Sequence, residues 1–249
     1  MKEDVGVTKL FSVIVLLFCL SGCVTYNDNG CFKQFGSSTL KDEYLTIKLD
    51  KKLKRIKIPN CKYDNEGNKY FAITVGVNDK EIQRKEGNTV LINMTSIFPA
   101  DKIDEKEIID LINNVSKDLI DVKNTRFKKE YTKESDLIHK GNKICKIFSA
   151  SVRDYEATNK PKEQDYLLQN DLHEMCFIKQ YNQIMSLGIS FRMTKKSMET
   201  FWNIDILRNL MGTFSSNITM NDDKKNLDTI LEDNYKEIEK ILNIKTVNK

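Results

Sequence analysis

Hydrophobic and polar residues alternate in several short runs of the chain, and these runs predict β-strands. The clearest run is 185–193, in which every second residue is large and apolar: Met185, Leu187, Ile189, Phe191 and Met193. A period of two is typical of a strand with one buried face. Less regular runs predict further strands at 44–49, 53–58, 70–77, 89–95, 126–131, 143–152 and 172–181.

Apolar residues spaced three and four apart predict helices elsewhere. Pro99-Ala100-Asp101 opens the first helix, whose buried face would carry Ile108, Ile112, Val115, Leu119 and Val122. Thr194 can cap a second helix from 195 to about 211, and a final helix is predicted from about 225 to 243. The predicted order is strands, one helix, an antiparallel meander and then helices. This order predicts an α+β fold in which helices cover an antiparallel sheet.

The strongest apolar run lies at the N-terminus, at residues 10–20, interrupted by Ser12. A membrane-spanning helix needs roughly 20 apolar residues, so this run is too short to be one. Its length fits the central region of an export signal, and Lys9 supplies a positive charge before it. The negative charges of Glu3 and Asp4 cancel the positive charges of the basic residues in this segment. If translation started at Val7, the positive charge of Lys9 would not be cancelled. Both Met1 and Val7 remain candidate starts.

The residues that end this run, Leu20-Ser21-Gly22-Cys23, resemble the lipobox of bacterial lipoprotein signal peptides. In a lipobox an aliphatic residue and two small residues precede the cysteine whose thiol accepts the lipid. The resemblance implies that residues 1–22 are cleaved and that Cys23 becomes the lipidated, membrane-anchored N-terminus. Residues 23–42 would then be a polar, flexible tether, and residues 43–249 a single α+β domain.

The resemblance also implies a location, which is the bacterial cell envelope, with the chain anchored to a membrane by acyl chains such as palmitate. The residue after the cysteine is Val24. An aspartate at this position would oppose sorting to the outer membrane, and valine does not. In a Gram-negative organism we therefore expect the anchor in the outer membrane, facing the periplasm.

The net charge of +4, from 40 basic and 36 acidic residues, indicates a mixed surface and argues against a nucleic-acid partner.

The cysteines of an exported chain are candidates for disulfides. Of the six, Cys19 lies in the signal and Cys23 is used by the lipid, so four remain and allow three pairings. We expect nearest neighbours to pair: Cys31 with Cys61, and Cys145 with Cys176. On antiparallel strands, Cys145 opposite Cys176 pairs residues whose numbers add to 321. Their two faces would be a mostly apolar one and a more polar one that includes both cysteines.

The next hairpin is predicted from burial. A loop of 182–184 would place Phe177 opposite Ile189 and His173 opposite Met193, so that the apolar face of 185–193 joins the apolar side of the sheet. A register shift of one residue would turn that face outward. On this interpretation His173 is a structural residue of the core.

The segment His173-Glu174-Met175-Cys176-Phe177 begins like the zinc-binding motif HExxH, but Phe177 stands where the second histidine is required. A strand also places His173 and Cys176 on opposite faces, which excludes local chelation. His139 lies in a polar segment that we expect to be an exposed loop. The sequence therefore predicts no metal, no cofactor and no catalytic motif.

Residues 89–219 resemble the PsbP-like fold in the order of their predicted elements. A strand that ends near Thr95 leads into a helix, then a meander, then a passage from strand to helix at 190–214. The resemblance implies a non-catalytic binding or accessory module. We therefore expect an envelope lipoprotein that binds or scaffolds another envelope protein. The alternative is an envelope hydrolase whose catalytic carboxylates are dispersed along the chain.

Overall fold

The structure is a computed structural model that describes residues 33–35, 39–41, 44–49, 53–55, 60–78, 80–83, 88–99, 101–120, 126–221 and 234–242. The predicted signal peptide, Cys23 and Cys31 lie outside these ranges. The α+β class predicted from the sequence is confirmed, because the described elements are mostly antiparallel strands with helices packed on them.

The strands, in chain order, are β1 (Lys33–Phe35), β2 (Thr39–Lys41), β3 (Leu45–Lys48), β4 (Leu53–Arg55), β5 (Asn60–Tyr63), β6 (Lys69–Val77), β7 (Thr89–Phe98), β8 (Phe127–Glu134), β9 (Ile138–Lys140), β10 (Lys143–Asp154), β11 (Leu167–Ile178), β12 (Gln183–Met193) and β13 (Ile218–Met220). The helices are α1 (Lys80–Gln83), α2 (Glu105–Ile120), α3 (Lys195–Phe201), α4 (Ile204–Ser215) and α5 (Tyr235–Leu242).

Two antiparallel sheets contain these strands. The larger has the order β4-β6-β7-β12-β11-β10-β8, with β5 beside β6 and β9 beside β10. The smaller has the order β1-β2-β3-β13, so it joins the start of the described chain to a strand that follows α4. The strands β6, β7, β10, β11 and β12 are the long ones, and they form the centre of the larger sheet.

Helices and apolar side chains cover both faces of the larger sheet. On one face, Ile108 and Ile112 of α2 are buried with Ile144, Phe148 and Phe177 of β10 and β11. The opposite face belongs to the main core, which takes in α3, α4, α5 and the smaller sheet. Its members from β10, β11 and β12 are Cys145, Ile147, Leu172, Cys176, Ile178, Met185, Leu187, Ile189, Phe191 and Met193.

The predicted helix from 195 to about 211 is two helices, α3 and α4, because a second cap interrupts it. Thr194 caps α3, as expected, by accepting a hydrogen bond from the backbone N–H of Ser197. Asn203 has an extended backbone, and its side-chain oxygen accepts from the N–H of Ile206 at 3.0 Å. Asparagine is one of the best N-cap residues, so the chain ends one helix and starts another there.

The N-terminal boundary also differs from the prediction. The strands β1 and β2 lie within residues 23–42, which we predicted to be a tether, and β2 pairs with β3. Leu40 in β2 is only 3% exposed and belongs to the main core. The β-structure therefore begins before the predicted domain start at residue 43.

The pairing of β10 with β11 follows the predicted register along its whole length, from Lys143 opposite Ile178 to Asp154 opposite Leu167. Cys145 and Cys176 face each other with 4.1 Å between their Cα atoms and form a disulfide. The face that carries them was expected to be the more polar one. Instead it belongs to the main core, because α3, α4 and α5 cover it.

The predicted register of β11 with β12 is wrong. Phe177 lies opposite Ile184, not Ile189, and a short 3₁₀ helix (Lys179–Tyr181) followed by Asn182 makes the turn. Asn182 has a left-handed backbone (φ 46°), which asparagine tolerates better than most residues. The burial argument failed because the sheet has two buried faces, so the apolar face of β12 is buried on the side opposite to the predicted one.

The disulfide generates a prediction about stability. Cys145 and Cys176 are 31 residues apart, and closing a loop of that size stabilises a fold by about 3–4 kcal/mol. The double variant Cys145→Ala/Cys176→Ala should lose that free energy of unfolding, measured by urea denaturation without reductant. In non-reduced peptide maps Cys145 should be linked to Cys176. A link from Cys145 to any other cysteine would contradict the register.

Candidate functional site

A cluster of buried polar groups lies on the main-core face of β10 and β11, and it includes the disulfide. Glu174 is two residues from Cys176 on β11, so both side chains project from the same face. Both cross-strand neighbours of Glu174 in the sheet are apolar: Ile147 on β10 and Leu187 on β12. Only 3% of Glu174 is exposed. A carboxyl group so deeply buried requires a hydrogen-bond partner.

That partner comes from the C-terminal part of the chain. Asn234 directly precedes α5 and is 1% exposed. Its side-chain Nδ2 donates a hydrogen bond to Oε1 of Glu174 and lies 3.9 Å from Sγ of Cys176. The same Oε1 is 3.5 Å from that sulfur. The carboxyl group, the amide and the disulfide are therefore in mutual contact.

The environment of Glu174 favours its neutral form. Burial raises its pKa from the usual value of 4.5 to about 7, although the hydrogen bond from Asn234 and the positive charge of Lys143 act in the opposite direction. A group that changes charge near neutral pH inside a core is unusual, and such groups are more frequent at functional sites than elsewhere.

The chemistry open to this cluster is limited by the oxidation state of its sulfurs. Ligand atoms of Cys145, Glu174 and Cys176 all lie within 4.8 Å of one another, close enough to share a metal ion. Metals bind thiolates, however, and both sulfurs are joined in the disulfide. In the oxidised protein the two sulfurs form a covalent cross-link and offer no thiolate to a metal ion.

His173 projects from the opposite face of β11. Its ring stacks on Phe148, with 5.2 Å between the ring centroids, and lies beside the backbone of Gly188 on β12. It was predicted to face Met193, and that pairing is wrong with the rest of the register. Burial lowers the pKa of His173, and the charge of Asp171 opposes this effect. A neutral, stacked imidazole fits the structural role that we expected for it.

A second polar group, at the other end of β10, was missed from the sequence. Asp154 is fully buried and accepts two hydrogen bonds of 2.7 Å from Arg126, while Arg192 lies at 3.4 Å. Burial alone would raise the pKa of Asp154, but the two arginines hold it below its usual range. These residues are 28 and 38 positions from Asp154, so only the pairing of the strands brings them together.

The other predicted site residues are only partly described. Cys61 is disulfide-bonded. Since the other two described cysteines bond to each other, its partner lies outside the described ranges, where Cys31 is also found. His139 is exposed, as expected, but it belongs to the short strand β9 and not to a loop. Within the described ranges, none of the helices is both long enough and apolar enough to span a bilayer.

No family model, curated protein or solved structure matches the chain.

The close approach of His173 to β12 generates a second prediction. A Cβ atom on residue 188 would lie 2.3 Å from Nδ1 and 2.5 Å from Cε1 of His173. Gly188→Ala should therefore reduce the free energy of unfolding by about 1–3 kcal/mol, because the stacked ring has to move. His173→Ala removes the clash, so the double variant should be more stable than the sum of the single effects predicts.

Gly141→Ala is the matched control. A Cβ there would meet no atom within 4 Å, but its φ of +55° is unfavourable for alanine. The loss of free energy of unfolding in Gly141→Ala should therefore simply add to the loss in His173→Ala, and the double variant should not be more stable than this sum. Additive effects for Gly188→Ala and His173→Ala would contradict the contact.

Proposed function

We propose that the protein is a lipid-anchored component of the bacterial cell envelope whose domain binds or scaffolds another envelope protein. The proposed anchor rests on the sequence Leu20-Ser21-Gly22-Cys23. This sequence ends an apolar run of 11 residues, and Lys9 precedes the run. Lys9, the apolar run and the lipobox-like tetrapeptide follow one another in the order of a lipoprotein signal, while Glu3 and Asp4 depart from the net positive charge of its first region. The domain is then held at a membrane by acyl chains on Cys23.

The disulfides support an exported location. Cys145 and Cys176 are bonded across two central strands, and Cys61 is also in a disulfide. Structural disulfides persist in oxidising compartments such as the bacterial periplasm and the cell surface, and they are rare in the cytosol of mesophiles. A signal for export and a disulfide-bonded domain are thus consistent with each other.

The way the buried carboxyl groups are used gives no support to hydrolysis by a buried acidic pair. Among the described residues, Asp154 and Glu174 are the buried acidic ones. Asp154 is neutralised by Arg126 and Arg192, and Glu174 is enclosed beneath Asn234. Hydrolysis by paired carboxylates requires two acidic groups on either side of a bound substrate. These two are instead held within the fold by their own partners.

The order of the described elements from β7 to α4 also supports the proposal. A strand, a helix, a meander and a strand that leads into helices follow one another from β7 to α4, and this is the order on which the proposed resemblance of residues 89–219 to the PsbP-like fold rests. That resemblance implies binding or accessory roles. The competing hypothesis remains an envelope hydrolase, and hydrolytic activity of the purified domain that is lost on substituting exposed carboxylates would favour it.

The anchor can be tested by substituting its cysteine. Each methylene group of a buried acyl chain contributes about 0.8 kcal/mol, so two or three chains bind a membrane stably. In a bacterial host, the wild-type protein should incorporate a palmitate analogue and fractionate with membranes. Cys23→Ser should carry no label and remain at the precursor mass. Cys19→Ser is the matched control, because Cys19 lies outside the tetrapeptide, and it should be labelled normally. Labelling of Cys23→Ser would overturn the proposal.

A further inference from the structure

The helix α5 begins directly after Asn234, the residue that hydrogen-bonds Glu174 beside the disulfide. It contacts β10 and β8 on the main-core face and α4 beside it. Ile238 and Leu242 are the buried apolar residues of α5, while its polar residues are at least partly exposed. An eight-residue helix is too short to be stable alone, so it depends on these contacts with the rest of the domain.

Two sets of polar contacts accompany the apolar ones. On the outer side, Arg208 of α4 forms a 3.0 Å salt bridge with Glu239 and lies 5.2 Å from the ring centroid of Tyr235. On the inner side, Asn234 donates its hydrogen bond to Glu174. The inner contact differs from the outer one because its acceptor is buried and shielded from water.

We propose that Glu174 makes the docking of α5 depend on pH, so that the helix is held firmly while Glu174 is protonated and is released as Glu174 ionises. The geometry supports this directly, since the buried carboxyl group is in contact with the buried Asn234 side chain, and Asn234 directly precedes α5. A carboxylate trapped there loses its hydration, whereas lifting Asn234 and α5 restores water to it. The proposal concerns the domain alone and does not depend on the membrane anchor.

The direction of the effect follows from linkage. With α5 docked, burial holds the pKa of Glu174 at about 7, whereas an exposed glutamate has its usual value of 4.5. Between these values the docked state binds more protons than the open state, so raising the pH favours opening. The opening equilibrium should increase on the order of tenfold per pH unit between about 4.5 and 7, and level off above.

The charged groups around Glu174 lie on several elements. On β10, Lys143 is the cation whose charge acts on Glu174, and the facing residue of β12 is the apolar Leu187. On β8, Lys133 lies over the ring of Tyr131 at 5.5 Å. The charged residues of α5 itself are Lys236, Glu237, Glu239 and Lys240, and α4 contributes Arg208. His173 and Asp171 project from the opposite face of the sheet.

Hydrogen exchange measured by mass spectrometry on the folded, oxidised protein tests the proposal. The readout is the exchange rate of amides in 235–242 in the wild type, divided by the rate in Glu174→Gln at the same pH. This ratio cancels the intrinsic pH dependence of exchange. Glutamine keeps an acceptor for Asn234 but cannot ionise. The ratio should be a few-fold at pH 5 and on the order of 100-fold at pH 8.

Two variants and one internal reference complete the design. Glu237→Gln makes the same chemical change on a partly exposed position of α5, and its exchange should match the wild type at both pH values. Asn234→Ala should accelerate exchange of 235–242 at both pH values, because the inner contact is lost. Amides of β12 report unfolding of the whole domain, and their ratio should stay far below that of α5.

Three results would overturn the proposal. The first is a ratio for 235–242 that does not change between pH 5 and pH 8. The second is a ratio for β12 equal to that for α5, which would show that Glu174 acts on global unfolding alone. The third is wild-type exchange in Asn234→Ala, which would show that Asn234 does not hold the helix.

Discussion

The antiparallel pairing of β10 with β11 is the constraint on which the rest of the domain depends. The disulfide between Cys145 and Cys176 joins directly opposed residues, and the pairing extends from it over 12 positions of each strand. Because side chains alternate along a strand, this one register determines which residues face α2 and which face the other helices. It brings Glu174 beside the disulfide and sends His173 to the other side.

The long strands, the helix α2 and this register could be predicted because each rests on local information. Alternation marks β12, the three-and-four spacing marks α2, and two cysteines in neighbouring strands determine one pairing. The pairing of β11 with β12 could not be predicted in the same way. Both faces of the sheet are buried, so burial favoured neither register, and a 3₁₀ turn ending in Asn182 was not recognisable from its sequence. Asn203 was a recognisable cap, but the apolar pattern that continues across it concealed the break between α3 and α4.

The candidate site was predictable only in part, for a different reason. Glu174 was considered as part of an incomplete metal-binding motif, and the sequence correctly separated His173 from Cys176. What gives Glu174 its properties is Asn234, which is 60 positions away. The same holds for Asp154 and its two arginines. Contacts of this kind depend on how the elements are assembled, and no spacing within a short segment encodes them. Chemistry confined to one strand can be predicted from that strand, whereas chemistry shared between distant elements requires the assembled fold.

The early strand β1 has a geometric consequence for a chain held at a membrane by Cys23. Ten peptide units separate Cys23 from Lys33, the first residue of β1. A fully extended chain gains at most about 3.3–3.6 Å per residue, so β1 cannot lie farther than roughly 35 Å from the anchored cysteine. A tether extending to residue 42 would have allowed nearly twice that reach. In the anchored protein that we propose, the first strand of the domain would therefore lie within about the thickness of the hydrocarbon core from its membrane attachment.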